Sequence, residues 1–430
     1  MLINKQNRNL KKKIAIIGSG IAGLSSAYFL QEYFDVTLFE KNDYLGGHAN
    51  TREVKDGSGN TIPIDTGFIV YNELTYPNLT KFFNILNVET VDSNMSFSFL
   101  NEESKFEYGG GSLKALFADR KNFFNFKFYK MLKDIIIFYK IYQNKNIKSD
   151  LSIRDFLKTK NYSDEFINFH LVPLISSIWS TPDQDSLNQP LRSIINFFQN
   201  HKLFNFTDRP KWKTIRNGSR QYINSLIKFA KFEIKKSCRI QKISRNDKVD
   251  IFFEGKKSVF DFIIFACPPN HFFPLLDKIN QREYEILKEF DFQKNLAQLH
   301  QNTALMPNHL NAWSSWNFHT NLKNKCTLSY WMNKLQPLET RDNFFVSLNQ
   351  EQNQNHYQTI YEHPIFSPNT LIAQKNISQI QGYDKSYYVG SYLGYGFHED
   401  GIQSTLKVCN RLNIDLKEFN NADTSRVQWN

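Results

Sequence analysis

Three glycines, Gly18, Gly20 and Gly23, punctuate the run IAIIGSGIAGLSSA from Ile14 to Ala27, and a carboxylate, Glu40, follows further on. This spacing suits one task, holding a pyrophosphate on backbone. Gly18 permits a tight turn, Gly20 puts no side chain in the path of the phosphates, and Gly23 lets a helix close on a strand. The helix start then offers unpaired N–H groups to the anion. A carboxylate about 20 residues beyond such a loop can accept the hydroxyls of an adenosine ribose.

These residues need a frame. Lys13 to Ile17 reads as a short apolar strand of the buried parallel kind. Ile21 to Tyr33 reads as a helix and Val36 to Glu40 as the next strand, which completes a βαβ unit around the glycine loop. The chain of 430 residues is long enough for two or three domains, and its 41% hydrophobic content allows a sizeable core. The net charge of +11 is scattered. Nucleic acid is not expected as a partner, whereas a transient contact with a membrane surface stays open. Cys238, Cys267, Cys326 and Cys409 form no CxxC and no metal spacing. They fit a reducing cytoplasm, and no metal site is expected. The opening residues MLINKQNRNLKKK contain no apolar signal core, and no apolar run is long enough to span a bilayer.

A second glycine pair, Gly46 and Gly47, follows Glu40 almost at once in KNDYLGGHANT, with His48 directly after it. An NAD site would run into another helix here. Two more glycines suit a longer dinucleotide that needs backbone beside a second part.

Residues Glu40 to Thr51 resemble the extended fingerprint of FAD enzymes. Ile64 to Leu79 (IDTGFIVYNELTYPNL) and Tyr387 to Leu412 (YYVGSYLGYGFHEDGIQSTLKVCNRL) resemble the other two FAD-contacting segments of the flavin-dependent amine oxidase superfamily. RPKWKTIRNGSRQY, AWSSWN, YWMNKLQ and YEHPIF are similar to a bacterial, amine-oxidase-like branch, so the likeness runs from Ile14 to Leu412. It implies an α/β fold: a Rossmann-like FAD-binding domain of the GR2 type, interleaved with a mixed α+β substrate domain. The first would comprise residues 1–75, 212–290 and 380–430, the second 76–211 and 291–379. The resemblance implies non-covalent FAD held by Gly18, Ser19, Gly20, Ile21, Ala22, Gly23, Glu40, Lys41, Gly46, Gly47, His48, Thr66, Gly67, Phe68, Ile240, Gly390, Ser391, Glu399, Asp400, Gly401 and Ile402. It also implies that Phe397, just before the last helix, faces the flavin.

The same segments read sensibly on their own. CRIQKISRNDKVDIFFEG gives two strands around RNDK, and VFDFIIFACPPN gives an apolar strand. SYYVGSY is a strand ending in Gly390 and Ser391, followed by a helix from Asp400 to Leu412 whose positive end would lie near a cofactor. FFNFKFYKMLKDIIIFYKIY reads as a helix lining a substrate chamber in preference to one lying on a membrane. CTLSYWMNKL suggests an antiparallel sheet.

No second GxGxxG, dithiol pair or GxSxG elbow is present, which excludes a built-in NADPH site, a dithiol relay and a nucleophile-elbow hydrolase. The remaining chemistry is hydride transfer on a flavin. Aromatic walls are expected from Trp313, Trp316, Tyr330, Trp331, Tyr395 and Phe397. The candidate catalytic residues are His398, for a proton, with Phe397, Trp316 and Tyr330; Glu399 is a second polar candidate. The substrate is expected to be small or lipid-like and largely apolar. The alternatives are an amine oxidase giving imine and H2O2, and a redox-neutral, flavin-dependent isomerase. Nothing in the sequence sets the oligomeric state.

Overall fold

The computed structural model describes residues 11–147, 151–179, 183–205, 207–320, 326–350 and 354–429. The expectation for the opening ten residues, and the side chain of Cys326, lie outside them.

A five-stranded parallel sheet carries the glycine loop. Its order is Glu233–Lys235, Asp35–Phe39, Lys13–Ile17, Phe262–Phe265, Ser386–Tyr388. Ile14, Ile16, Val36, Leu38, Ile263 and Ile264 are buried, as strands covered on both faces require. The helices Ile21–Leu30 and His398–Arg411 pack against each other. Gly401 makes this approach possible, because a Cβ there would meet the Ile21 side chain at 2.8 Å. An antiparallel sheet of Ile240–Arg245, Val249–Phe253 and Lys256–Phe260 precedes the fourth parallel strand.

A second, seven-stranded sheet has the order Tyr357–Ile365, Asp291–His300, Phe345–Leu348, Cys326–Trp331, Trp316–Thr320, Phe97–Asn101, Phe106–Gly109. Its pairs are antiparallel except Trp316–Thr320 with Phe97–Asn101. A helical layer including Phe126–Tyr142, Val172–Trp179 and Leu191–Asn200 has its own aromatic core around Phe128, Phe138, Phe166 and Phe198.

Several elements shift from their sequence positions. The first helix ends at Leu30 instead of Tyr33, since the chain turns with Phe34 N–H donating to the Leu30 carbonyl at 2.9 Å. The second strand covers Asp35–Phe39, which releases Glu40 to fold back on the loop. The last strand stops at Tyr388, short of Gly390 and Ser391. The last helix begins at His398, two residues early, because the Asp400 carboxylate accepts from Phe397 N–H at 2.8 Å and caps it. The helix Pro77–Ile85 falls in the stretch expected for the substrate domain, yet its Leu79, Phe82 and Phe83 pack into the core of the parallel sheet.

Candidate active site

Gly18 N–H donates to the Phe39 carbonyl at 2.9 Å, and φ of +101° turns the chain out of the sheet. That conformation favours glycine, and a Cβ would also sit 2.9 Å from the Ala266 carbonyl. Gly20 differs. Its φ is −65°, and a Cβ there would meet no atom within 4 Å. It would project into open space at the start of the helix. Gly23 is the reverse case: a Cβ would overlap the Gly18 carbonyl oxygen. The second glycine turn folds onto the first. Gly46 N–H donates to the Ser19 carbonyl at 3.0 Å, and a Cβ on Gly47 would lie 3.2 Å from Gly20 Cα. The two glycine motifs are therefore two sides of one cradle. Glu40 braces it, its carboxylate accepting from Ser19 N–H (3.0 Å), Ser19 Oγ (2.6 Å) and Asn42 N–H (2.8 Å).

The cradle opens into a cavity of about 1490 Å³, which extends past Ile240 and Arg239 at one end and into the helical layer at the other. Ligand sites for drug-sized molecules span roughly 300–1,000 Å³, so this volume can take two occupants. Of the residues singled out from the sequence, Gly18, Ser19, Gly20, Ile21, Ala22, Glu40, Lys41, Gly46, Gly47, His48, Gly67, Phe68, Ile240, Gly390 and Ser391 line it, as do Trp316, Tyr330, Phe397 and His398.

Six others are placed elsewhere, and for physical reasons. Gly23 and Gly401 serve close packing. Thr66 Oγ1 is bonded to Tyr361 Oη at 2.7 Å and to the Asn50 carbonyl. Glu399 is fully buried and turned to the helix Pro77–Ile85, where it accepts from Leu79 N–H (2.9 Å) and Asn78 Nδ2 (2.7 Å). It satisfies the donors of that helix start. Asp400 caps its own helix, and Ile402 is core. Trp313, Trp331 and Tyr395 are also off the wall. The two indoles donate to Pro307 and Asn343, and the Tyr395 carbonyl accepts from Trp179 Nε1.

At the junction between cradle and chamber, the His398 ring stacks on Phe68 with centroids 3.7 Å apart. Its Nε2 is buried without a hydrogen-bond partner. Burial, and then the neighbouring His48, push its pKa down to about 3. His398 is therefore neutral near pH 7 and holds no spare proton there. His48 is pushed down to about 4, chiefly by burial and against the pull of Glu362. It stacks on Tyr361 and meets His363 edge-on. Beside it His271 Nε2 lies 2.7 Å from Glu362, while its other nitrogen lies 3.3 Å from Lys41 Nζ.

The chamber is walled by Phe97, Leu132, Ile135, Leu174, Ile178, Phe197 and Phe397. Phe197 and Phe397 stack at 5.1 Å, and Trp316 meets Tyr330 edge-on at 5.3 Å. Trp316 Nε1 is buried and unpartnered. One polar group on this wall escaped the sequence reading. His170 lies between two hydroxyls, with Tyr108 Oη 2.9 Å from Nδ1 and Tyr139 Oη 3.1 Å from Nε2. It sits in a π-turn, Ile167–Leu171, a distortion found often at functional sites. No local motif announces it, because its members come from a strand and two separate helices.

Residues 16–86 match the family of NAD(P)-binding Rossmann-like domains. Coproporphyrinogen III oxidase of Staphylococcus aureus is 28% identical over 199 residues. That match covers 45% of this chain but only 40% of the relative's length. Among solved structures, a conjugated-linoleic-acid-producing fatty acid isomerase from P. acnes superposes with a TM-score of 0.67 at 13% identity, over 95% of this chain and 99% of that one. Putrescine oxidase bound to putrescine superposes with a TM-score of 0.68 at 10% identity, over 94% and 99%. The chain thus has a Rossmann-like α/β fold shared with amine oxidases.

Proposed function

We propose that this chain, having the amine-oxidase type of fold, is an FAD-dependent oxidoreductase that moves a hydride between a largely apolar organic substrate and FAD. The observation that carries this is the single cavity joining a glycine-built cradle to an apolar chamber. The cradle fits a dinucleotide: the space beyond Gly20 is open to a pyrophosphate, and the two touching glycine turns bring backbone rather than side chains to its edge. Gly18 to Ala22 would hold the pyrophosphate, Glu40 the ribose, and Gly46 to His48, Gly67, Phe68, Gly390 and Ser391 the remainder. Non-covalent binding belongs to the same reading, supported by Cys267 beside Gly18, whose thiol burial pushes up to about 12.

When bound, FAD supplies the two-electron acceptor or donor. The chain's residues do the rest. Phe97, Phe197 and Phe397 would keep water from the reacting carbon by lining the chamber with apolar surface. His398 offers a neutral imidazole at the junction, able to give one hydrogen bond and accept another but not to donate a stored proton near pH 7. We assign residues 1–75, 212–290 and 380–430 to cofactor binding and 76–211 with 291–379 to the substrate, except the helix Pro77–Ile85, which packs with the cofactor-side sheet. A cytoplasmic site of action belongs to the same reading, supported by the free thiols of Cys238, Cys267 and Cys409.

The chamber favours an apolar or anionic molecule over a cationic amine. Among the described residues the whole cavity wall holds three acids. Glu40 serves the cradle, Glu362 faces His271, and Asp92 is exposed. An aromatic cage of Trp316 and Tyr330 could still contribute about 0.5–2 kcal/mol to a cation. The fatty acid isomerase of the same fold keeps a redox-neutral reaction in view. Extraction and mass analysis of the cofactor test the first half of the proposal, with FAD expected. Anaerobic incubation with fatty-acyl and isoprenoid compounds, set against simple amines, tests the second. Bleaching by the first group is expected; bleaching by amines alone, with H2O2 on admitting air, would assign an amine oxidase instead. Double-bond migration in an acyl chain without bleaching would assign an isomerase.

A further inference from the structure

The outer face of the chamber carries a surface that the proposed reaction does not use. Between Leu113 and Lys133 the chain has six cations, Lys114, Arg120, Lys121, Lys127, Lys130 and Lys133, against one acid within the stretch, Asp119; Glu165 lies across from Lys127 at 3.6 Å, and Asp134, which follows directly, is buried against Ser163. All six cations are exposed. Large apolar side chains stand among them: Phe124 is 94% exposed, Phe126 81% and Leu113 78%. Leu310, also exposed, sits on a turn that packs against the helix Leu113–Leu116.

Helical phasing explains part of this. In Phe126–Tyr142 the residues Phe128, Met131, Ile135 and Phe138 face the core, which leaves Phe126, Tyr129, Ile136 and Ile141 outside. Two of the exposed rings are nevertheless held in place. Phe123 stacks on Phe117 at 4.3 Å, and Tyr129 Oη donates to the Phe123 carbonyl at 3.2 Å. The same segment forms the cavity rim, since Leu113 and Leu116 line it, as do Arg209 and Lys211.

We infer that this surface docks on an anionic lipid bilayer, with the cavity mouth at the contact. Apolar rings ringed by Lys and Arg are the pattern of interfacial binding, in which the rings enter the acyl boundary and the cations meet the headgroups. The charge complements an anionic bilayer and repels a second copy of the same face. Among the described residues no helix is long and apolar enough to cross a membrane. The docking does not rest on the assigned reaction, because it needs neither turnover nor cofactor reduction.

Vesicle co-sedimentation of the full-length, cofactor-loaded protein tests it. The vesicles are phosphatidylcholine alone, and phosphatidylcholine mixed equally with phosphatidylglycerol. The protein should sediment with the mixed vesicles and weakly with the neutral ones, and added salt should release it. The triple variant Leu113→Ser, Phe124→Ser, Phe126→Ser should keep its thermal midpoint, since all three side chains are exposed, and should bind the mixed vesicles about tenfold less or weaker still. The pair Lys121→Glu, Lys130→Glu should bind less as well. Absence of sedimentation with either vesicle would overturn the inference, as would equal binding by parent and triple variant. So would a parent dimer that the triple variant dissolves, which would give the face to a second copy of the chain.

Discussion

The cradle and the chamber share one cavity and are built in opposite ways. The cradle is made of backbone, brought close by residues that lack side chains: Gly18, Gly20, Gly46 and Gly47 come from two turns that touch. The chamber is made of side chains, each from a different element, such as Phe97 on a strand, Ile135 on a helix and Phe397 at a helix start. A backbone site fails abruptly when a single Cβ is added. A side-chain site yields by degrees, because its neighbours can shift. The glycine loop itself contains both kinds of constraint, and substitutions along it separate folding from binding.

Gly23→Ala should have the largest effect. Its Cβ would overlap the Gly18 carbonyl oxygen, so the helix must leave the sheet, at a cost beyond the ~1–3 kcal/mol of ordinary overpacking. Loss of soluble protein, or a collapsed thermal midpoint, is the expected result. Gly20→Val should instead fold, since its side chain meets open space, and should lose most of its FAD. Measured cofactor content per mole of folded protein checks this. Retained FAD would show that the pyrophosphate lies elsewhere.

Glu40→Ala should come next. A lost hydrogen bond to a charged group costs about 1–3 kcal/mol, or roughly ten- to hundredfold in the FAD dissociation constant. Because Glu40 also braces Ser19, Glu40→Gln should recover part of the loss in a titration of the apoprotein.

A last effect is on acid stability, and it divides the regions by charge. His170, His201, His300 and His398 are buried, and burial pushes them down to about 3, 3, 4 and 3. Each stays neutral when folded and charges near 6.5 when unfolded, so the unfolded chain binds more protons below that pH. Their contribution is complete above pH 6.5 and declines as the pH falls toward 4. Asp65, pushed up to about 6 mainly by burial, and Glu399 and Asp400, also raised by burial, work in the opposite sense over the lower part of that range. The thermal midpoint should therefore be flat just above pH 6.5 and fall below it. His170→Asn, within the chamber wall, should flatten the decline.

The same contrast explains what the sequence could show. The strand, glycine turn and helix at Lys13 to Leu30 are contiguous, and each glycine answers a local demand, so the element was legible. The second glycine pair was legible for the same reason. Glu399 was not. It stands in the first turn of the last helix, where an acid suits a cofactor or a substrate equally well, and only the arrival of Asn78 and Leu79 shows that it serves another helix. The tryptophans divided likewise: Trp316 lines the chamber, while Trp313 and Trp331 find carbonyl partners behind it. Strand alternation sets which face a residue takes only once register is known. The Tyr108–His170–Tyr139 group was illegible, because two of its links, at 62 and 31 residues' separation, join elements whose packing no local pattern fixes. The helix from Phe126 was read as a choice between core and membrane surface. The structure assigns its inner face to the chamber and leaves its outer face to solvent.

Anaerobic stopped-flow reduction of the bound flavin is the most direct test of the central claim, that a dinucleotide cradle serves an apolar substrate chamber. The account predicts that long-chain acyl or isoprenoid compounds bleach the flavin, that the rate saturates with concentration, and that affinity increases with chain length as more apolar surface is buried. Rapid bleaching by short amines with none by any apolar compound would contradict it.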